Sequence, residues 1–333
     1  MFDRSKCDMC GDCFVRCHYL DYDKERAIRE ISSLIQGENA PVLRECVTCA
    51  ACNEYCEKGA KPFDLINQLQ EKFETLPIPE RMVNWFAKLS LMPSEIIEGD
   101  PKKPALSICT LEPTLPPGTL ESRLFEGMTV AKGGDFFCYI GEVHIGKEKP
   151  VRENAQKFVD SIANLGHKEV VFIHDDCNAM IAKVSEYGIE MPFTSIHIIE
   201  YLLNYLKEHQ NEIIKLNKKV AYQRPCASRY TPGKEPMLDE LFEIIGVERV
   251  TRKYDRTDAL CCGGVFTRIM PEKTRRFQDM NLEDAKANGA EAMIFLCPIC
   301  QMNLEKICHE LGLHPMLITD LCRMALGEIP INF

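Results

Sequence analysis

Eight of the first 56 residues are cysteines, and they form two copies of one spacing, C-x2-C-x2-C-x3-C. The first copy is Cys7, Cys10, Cys13 and Cys17, and the second is Cys46, Cys49, Cys52 and Cys56. Three thiolates spaced three residues apart on a tight loop can each reach a different iron of a cube, and the fourth ligand comes from elsewhere. The spacing therefore predicts two 4Fe–4S clusters and electron transfer.

The same spacing also indicates which cysteines share a cluster. In bacterial two-cluster ferredoxins the last cysteine of each run ligates the other cluster. We therefore expect one cluster on Cys7, Cys10, Cys13 and Cys56, and the other on Cys46, Cys49, Cys52 and Cys17. Disulfides or paired zinc sites are the alternatives, although zinc motifs usually show two separated C-x2-C pairs instead of triplets.

Composition agrees with a redox protein that keeps its thiols reduced. The chain has 18 cysteines among 333 residues, and residues 1–6 contain no apolar run, so we expect a cytoplasmic protein with metal-bound thiols and no disulfide framework. A net charge of −10 and a pI near 5.4 argue against nucleic acid as a partner. Because no stretch of 18 apolar residues occurs, we expect no membrane span, and peripheral docking to a membrane stays open.

The rest of the chain contains an internal repeat. Segment 135–141, DFFCYIG, aligns with 258–264, DALCCGG, and segment 172–188 aligns with 295–312 after a one-residue adjustment. An upstream cysteine precedes each copy, Cys109 in the first and Cys226 in the second. The pattern predicts a duplicated domain.

The second copy carries more sulfur. Cys226 is followed after 34 residues by Cys261 and Cys262, and after another 34 by Cys297 and Cys300 at C-x2-C spacing. Adjacent cysteines cannot easily ligate one iron, so we expect Cys261 and Cys262 to bind different irons or to bridge a pair of them. The two glycines that follow give the backbone room. Zinc bound by four of the five thiols is the alternative.

This layout resembles the D subunit of heterodisulfide reductase, in which a two-cluster ferredoxin domain is fused to a pair of cysteine-rich CCG domains, as if the C and B subunits were joined. The resemblance implies a noncubane 4Fe–4S cluster, with Cys261 and Cys262 as its catalytic pair. It also implies a partner, either a flavin-containing subunit like the A subunit of that enzyme or a dehydrogenase subunit. The implied cluster ligands are Cys226, Cys261, Cys262, Cys297 and Cys300.

The first copy has lost ligands. Tyr139 stands at the position of Cys262 and His174 at that of Cys297. Cys109, Cys138 and Cys177 keep their sulfurs, and together with His174 they predict a zinc site or a further iron–sulfur cluster. The alternative is an empty, packed vestige, since cysteine is often buried without any metal.

Hydrophobic patterns predict a mixed fold, α+β or α/β. Short apolar runs at 105–108, 136–137, 170–173, 220–222 and 292–296 predict buried strands that end at ligand positions. Helical spacing lies between them, which indicates parallel sheets with ligands at the carboxyl ends of the strands. We expect a helical ferredoxin-like domain at 1–75 and a helical connector at 76–104. A degenerate CCG half at 105–215 and an intact CCG half at 216–333 follow. These last two are called below the first half and the second half.

Two hydrophobic features outside the ligand runs also carry predictions. The connector contains an apolar stripe made by Met82, Trp85, Phe86 and Leu89, which is typical of a core or interdomain helix. Cys308 and Cys322 lie outside every ligand pattern. We expect both of these thiols to be buried.

Two functions follow from these expectations. In the first, the chain is an oxidoreductase subunit that passes electrons through two cubanes to or from the noncubane cluster, where a disulfide is cleaved. In the second, it is purely an electron-transfer subunit of a larger flavoprotein, bifurcating or dehydrogenase complex, and the degenerate first copy favours this role. As an oxidoreductase subunit, the chain is expected to be active only within a complex. A zinc-bound scaffold is a third, weaker alternative, and the lack of a G-x-G-x-x-G or P-loop motif assigns flavin, nicotinamide or ATP to a partner.

Overall fold

A computed structural model describes all 333 residues, which form 14 α-helices and nine strands. The helices α1 to α14 are Asp12–Val15, Lys24–Ile35, Val42–Glu45, Ala51–Tyr55, Pro62–Phe73, Glu80–Leu89, Lys149–Ala163, Asp175–Glu186, Ile198–Glu208, Glu235–Ile245, Phe266–Ile269, Pro271–Ala287, Pro298–Glu310 and Ile318–Ala325. The strands β1 to β9 are Glu95–Ile97, Ala105–Cys109, Val130–Lys132, Glu169–Phe172, Thr194–His197, Lys218–Gln223, Val247–Arg249, Ala292–Phe295 and His314–Leu317. No helix combines the length and apolarity needed to cross a membrane.

The amino-terminal region is helical. Asp23 starts α2 by accepting the backbone N–H of Arg26 at 2.7 Å, and Pro62 is the first residue of α5, a position that proline favours. Gly11 adopts φ +76°, and a Cβ at this position would lie 2.9 Å from the backbone of Ala27. Only glycine lets the first cysteine loop pass this close to α2.

The first sheet has the strand order β1-β3-β2-β4-β5 and is parallel except for β1, which pairs antiparallel to β3 at the edge. Helix α6 forms where the apolar stripe predicted it, with Met82 and Phe86 buried and Trp85 half exposed at 50%. Strand β1 also lies within residues 76–104, so this connector contributes an edge strand as well as a helix. The sheet thus begins before the first half.

The second sheet has the order β7-β6-β8-β9 and is parallel throughout. The first sheet contains the same arrangement as β3-β2-β4-β5, which confirms the mixed, largely parallel fold class predicted from the sequence. The predicted strand at 136–137 is wrong. Gly133 has φ +103° and is followed by a 3-10 turn, Gly134–Phe136, because the paired glycines let the chain bend tightly against the carbonyls of Ser90 and Pro93.

The two halves share one hydrophobic core. Leu106, Val171 and Leu202 of the first half pack in the same buried cluster as Tyr222 and Ile294 of the second half. A separate core lies in the amino-terminal helices and also takes in residues of the second half, with Phe14, Leu34, Tyr55, Leu260 and Phe277 among its members. The three parts of the chain are therefore packed against one another by apolar surface.

A buried ion-pair network adds charge to this packing. The carboxylate of Glu54 accepts hydrogen bonds from Nη1 and Nη2 of Arg224 at 2.8 and 2.6 Å and from Nη1 of Arg229 at 2.5 Å. Both arginine side chains are at most 3% exposed. Arg229 also donates to the carbonyls of Thr257 and Ala259. The network joins Glu54 of the amino-terminal region to the second half, where Arg224 precedes Cys226 and Arg229 follows it.

Removing the Glu54 charge should destabilise the protein, because two buried guanidinium groups would lose their counter-ion. We expect Glu54→Gln to lower the free energy of unfolding by roughly 3 kcal/mol, measured by urea denaturation followed by circular dichroism. The matched control is Glu240→Gln, which breaks the half-exposed pair with Lys207 and should cost less than about 1 kcal/mol. Equal losses in the two variants would contradict a structural role for the buried network.

Candidate functional site

A cavity of about 200 Å³ lies at the amino-terminal end of the molecule. Its lining includes the four cysteines Cys7, Cys10, Cys13 and Cys56, called here the first sulfur group. Cys13 is buried and the other three are partly exposed. The last cysteine of the second run thus lies with the first three of the first run, which is the crossed arrangement that the spacing predicts.

The two cysteine loops fold in the same way. Met9 and Thr48 occupy matching positions and have φ +61° and +51°, and Gly11 and Ala50 also match, with φ +76° and +58°. These left-handed residues turn backbone N–H groups toward sulfur. The N–H of Thr48 donates to Sγ of Cys46 at 3.3 Å, and such bonds stabilise the thiolate form of cysteine.

The second sulfur group is Cys17, Cys46, Cys49 and Cys52. Burial raises the pKa of Cys46 to about 12, and the neighbouring thiolate of Cys17 contributes to this rise. Burial also raises the pKa of Cys49 and Cys52, again with a contribution from Cys17. Cys49 is buried and the other three cysteines are partly exposed, and four neighbouring thiols are unfavourable as bare anions. A bound cation favours thiolates at such a site.

The third sulfur group consists of the five predicted cysteines of the second half, and the structure brings all of them together. Sγ of Cys226 lies 3.4 Å from Sγ of Cys261. The Cys300 thiol donates to Cys297 and, together with the charge of His174, lowers the pKa of Cys297 to about 6 against the effect of burial. Hydrogen bonds from Cys226 and Cys262 likewise lower the pKa of Cys261 well below its usual range.

Strand ends and one helix position the third sulfur group. Cys226 begins a 3-10 turn soon after β6, and Cys297 lies between β8 and α13, where it is the residue that precedes the helix. These two strands are neighbours in the sheet, so their carboxyl ends bring the ligands together. Gly263 has φ +96°, and a Cβ there would lie 2.4 Å from the Thr274 methyl group. Glycine is therefore required beside Cys262.

Tyr19 connects the second and third sulfur groups. Its hydroxyl oxygen accepts a hydrogen bond from the backbone N–H of Cys261 at 2.6 Å. Its ring packs edge-on against that of Phe277, with 5.0 Å between the ring centroids. The two groups lie close together. Burial is the main cause of the raised pKa of Cys46 and Cys49, and the charge of the Cys261 thiolate raises the pKa of both further. Arg229 opposes the rise at Cys49.

Sequence reasoning missed these supporting residues because their partners are distant in the chain. Tyr19 lies two positions after Cys17, and Arg224 and Arg229 flank Cys226. This closeness to predicted ligands is the only sign of their supporting role in the sequence. His144 of the first half is a further example, since its charge contributes to the lowered pKa of Cys261.

The first half contains a fourth sulfur group, Cys109, Cys138 and Cys177. Their sulfur atoms all lie within 4.8 Å of one another, and all three residues are at most 3% exposed. Hydrogen bonds from Cys138 and Cys177 lower the pKa of Cys109 well below its usual range. The arrangement brings three sulfur atoms together at one point.

His174, the fourth member of the predicted first-half set, is not part of this close cluster, although its charge also acts on Cys109. Its Nε2 is 3.3 Å from Sγ of Cys297, and its Nδ1 faces Oδ2 of Asp176 at 3.9 Å. Burial would lower the pKa of His174, but the charges of Asp176 and Cys297 raise it to about 10. The structure therefore brings three of the four predicted residues together and places His174 at the third sulfur group.

Two cysteines belong to none of these groups. Cys308 and Cys322 are both fully buried and lie in hydrophobic cores. Their burial confirms the prediction made from their apolar surroundings.

Comparison with known proteins agrees with this geometry. Residues 220–305, which contain the whole third sulfur group, match the family described as a cysteine-rich domain, CCG. The second half of the chain thus carries a cysteine-rich domain of this family. It is similar to the D subunit of dihydromethanophenazine:CoB–CoM heterodisulfide reductase from Methanosarcina mazei, at 28% identity, and from Methanosarcina acetivorans, at 29%.

Each of these two matches extends over 178 residues and covers 51% of this chain and 43% of the relative. The chain therefore spans less than half the length of the curated relatives it matches. Among solved structures, the fold is similar to a hypothetical protein from Helicobacter pylori, with a TM-score of 0.56 and 14% identity, covering 84% of this chain and 60% of the other. At this identity the likeness concerns the fold alone.

The crossed arrangement of the first two sulfur groups can be tested by four serine variants. We expect Cys56→Ser to lose the same cluster as Cys7→Ser, and Cys17→Ser to lose the same cluster as Cys46→Ser, because each pair lines one group. Each variant should lose about four iron atoms per chain. The measurement is iron content together with the low-temperature electron paramagnetic resonance (EPR) spectrum of the reduced protein. Spectra that group Cys56→Ser with Cys46→Ser would refute the crossed arrangement.

Proposed function

We propose that the chain is an iron–sulfur electron-transfer subunit of an oxidoreductase complex similar to heterodisulfide reductase. The observation that carries this proposal is the succession of three adjacent sulfur groups, from the open cavity through the second group to the third. Similarity to the D subunit of heterodisulfide reductase supports it. Because the chain covers less than half of those relatives, activity and partners are part of the proposal.

The residues present fit the clusters that the proposal requires. The first and second sulfur groups would each hold a 4Fe–4S cubane, and the third would hold a noncubane 4Fe–4S cluster on its five cysteines. The supporting observations are the four sulfur atoms around one cavity and the two loops with matching left-handed residues. When bound, such clusters supply one-electron transfer over a wide range of potentials.

Protein groups around the second and third sulfur groups hold these sites in place and keep water out. Tyr19 fixes the Cys261 backbone, and Arg229 fixes the preceding loop through the carbonyls of Thr257 and Ala259. Cys261 and Cys262 are each at most 7% exposed. The positive charge of Arg229 lies beside Cys49 and Cys226, where it offsets the charge of thiolates in a region of low dielectric constant.

The first sulfur group is where a partner would exchange electrons with the chain. It lines an open cavity, and charged residues of both signs lie around it, among them Lys6, Asp8, Asp12, Arg16 and Lys58. Mixed charge at a rim orients a docking partner. We propose that this partner is a flavin-containing subunit or a dehydrogenase subunit, since the chain has no nucleotide-binding motif of its own.

In the fuller form of this function, the third sulfur group is also catalytic and a disulfide is reduced there. The reaction consumes two electrons and two protons and releases two thiols, and Cys261 and Cys262 would be the catalytic pair. A second candidate is a relay without a disulfide substrate. The burial of four of the five cysteines of the third group to 7% exposure or less favours the relay, because a bulky disulfide needs access to the site.

The two forms differ in what the reconstituted chain does alone. With clusters loaded under anaerobic conditions and a reduced viologen as electron donor, we expect disulfide reduction if the third group is catalytic. Cys262→Ala should abolish it while both cubane signals persist, and Cys308→Ala serves as the matched control. A fully loaded chain that reduces no disulfide without a flavoprotein partner establishes the relay. Colourless oxygen-free protein, with thiols paired or bound to zinc, would overturn both forms.

We further propose that the fourth sulfur group binds zinc through Cys109, Cys138 and Cys177. Zinc takes thiolate ligands readily, and hydrogen bonds already favour the thiolate of Cys109. A further iron–sulfur cluster is the alternative ligand, but three sulfurs without a fourth protein ligand suit a single ion better. The group is buried, so a substrate would have little access to such an ion.

Metal analysis tests this site directly. We expect Cys138→Ser to lose about one zinc per chain while iron content stays unchanged, because the iron sites use other cysteines. Cys308→Ser is the control, since it removes a buried thiol outside every sulfur group. Wild-type protein without zinc, or a loss of iron in Cys138→Ser, would refute the proposal.

A further inference from the structure

His174 and Cys297 occupy equivalent positions in the two copies of the repeat, 123 residues apart, and they touch each other. Each is the residue immediately before a helix that follows a central strand, α8 in the first half and α13 in the second. The two halves thus meet at this pair. The copy that lost its cysteine presents an imidazole to the cysteine that the other copy kept.

The chemistry of the contact fixes its direction. With Cys297 bound to iron as proposed, its sulfur would have no proton to donate, so Nε2–H of His174 would be the donor across the 3.3 Å contact. The imidazole is only 7% exposed, and little water competes for this bond. On the other side of the ring, Asp176 faces Nδ1 at 3.9 Å, which favours the ring orientation that points Nε2 at sulfur.

A hydrogen bond to a ligand sulfur acts on the potential of a cluster. Reduction adds negative charge that spreads onto the ligand sulfurs, so an N–H donor stabilises the reduced form more than the oxidised form. Bonds to charged acceptors are also stronger than bonds between neutral groups. A donor placed on Cys297 therefore makes the cluster of the third sulfur group easier to reduce.

We propose that His174 is a positioning residue of the third sulfur group, through which the first half donates an N–H···S bond to Cys297 and raises the reduction potential of the cluster held there. This inference rests on the proposed iron–sulfur function. It gives the first half a role that does not depend on its own metal. It also gives the third group a means of drawing electrons from the second group.

Redox titration of the loaded, full-length protein, monitored by EPR, tests the inference. We expect His174→Phe, which keeps an aromatic ring but removes the donor, to lower the midpoint potential of the third cluster by about 60 mV, equivalent to about tenfold in its reduction constant. His174→Gln keeps an N–H near the position of Nε2 and should retain most of the wild-type potential. The cubane signals in the same samples are internal controls, and His209→Phe, which removes an imidazole stacked on Tyr205, is the external one.

Each other outcome overturns the inference. An unchanged potential in His174→Phe, with iron content intact, would show that the bond does not act on the cluster. If His174→Phe lost the cluster of the third sulfur group, the histidine would instead be an iron ligand. If it lost only zinc, the histidine would instead be a ligand of the fourth sulfur group. Failure of the proposed function itself is distinguishable, because the wild-type protein would then show no third cluster signal at all.

Discussion

The contact between Glu54 and the guanidinium groups of Arg224 and Arg229 fixes the arrangement on which the rest of the structure depends. Glu54 lies between two cysteines of the amino-terminal region, and the arginines flank Cys226 of the second half, so a single carboxylate fixes two sulfur groups relative to each other. Electron transfer between buried centres depends steeply on their separation. A charged, desolvated clamp resists the small sliding motions that purely apolar packing permits, and breaking it leaves uncompensated charge.

In the repeat, one arrangement of strands carries two different sets of side chains. The order β3-β2-β4-β5 recurs as β7-β6-β8-β9, and equivalent loops carry cysteines in both halves. In the second half, five sulfurs converge. In the first half, Tyr139 and His174 replace two of them, three sulfurs remain together, and the imidazole crosses to the other half. The two halves therefore share the strand order that places these loops while differing in the side chains that the loops carry.

Much of the site could be predicted because the spacing of ligands along a short loop restricts what they can bind. The crossed cysteine pairs followed from the spacing seen in two-cluster ferredoxins, and the five cysteines of the second half from their spacing and the family resemblance. Most of the strands leading to them are apolar runs. The position of His174 could not be predicted in this way. Alignment assigns it to its own half, whereas its contact is made across an interface that the sequence does not display.

Two other differences have local or long-range causes. The run at 136–137 is as apolar as a strand, but Gly133 and Gly134 allow a tight turn, and backbone freedom overrides the hydrophobic pattern there. Strand β1 is too short and too exposed to stand out from its surroundings, and it exists because β3 offers it an edge. The Glu54 clamp joins residues 170 and 175 positions apart, and no local signal links them.

The common core of the two halves has a consequence for how the molecule can be divided. Leu106 and Val171 on one side and Tyr222 and Ile294 on the other bury a single apolar surface, so cutting the chain between the sheets would expose that surface on both fragments. The segment that matches the cysteine-rich family shares its core with the first half. It is therefore not an independent folding unit in this protein. Expressed by itself, it would leave that apolar surface exposed to water.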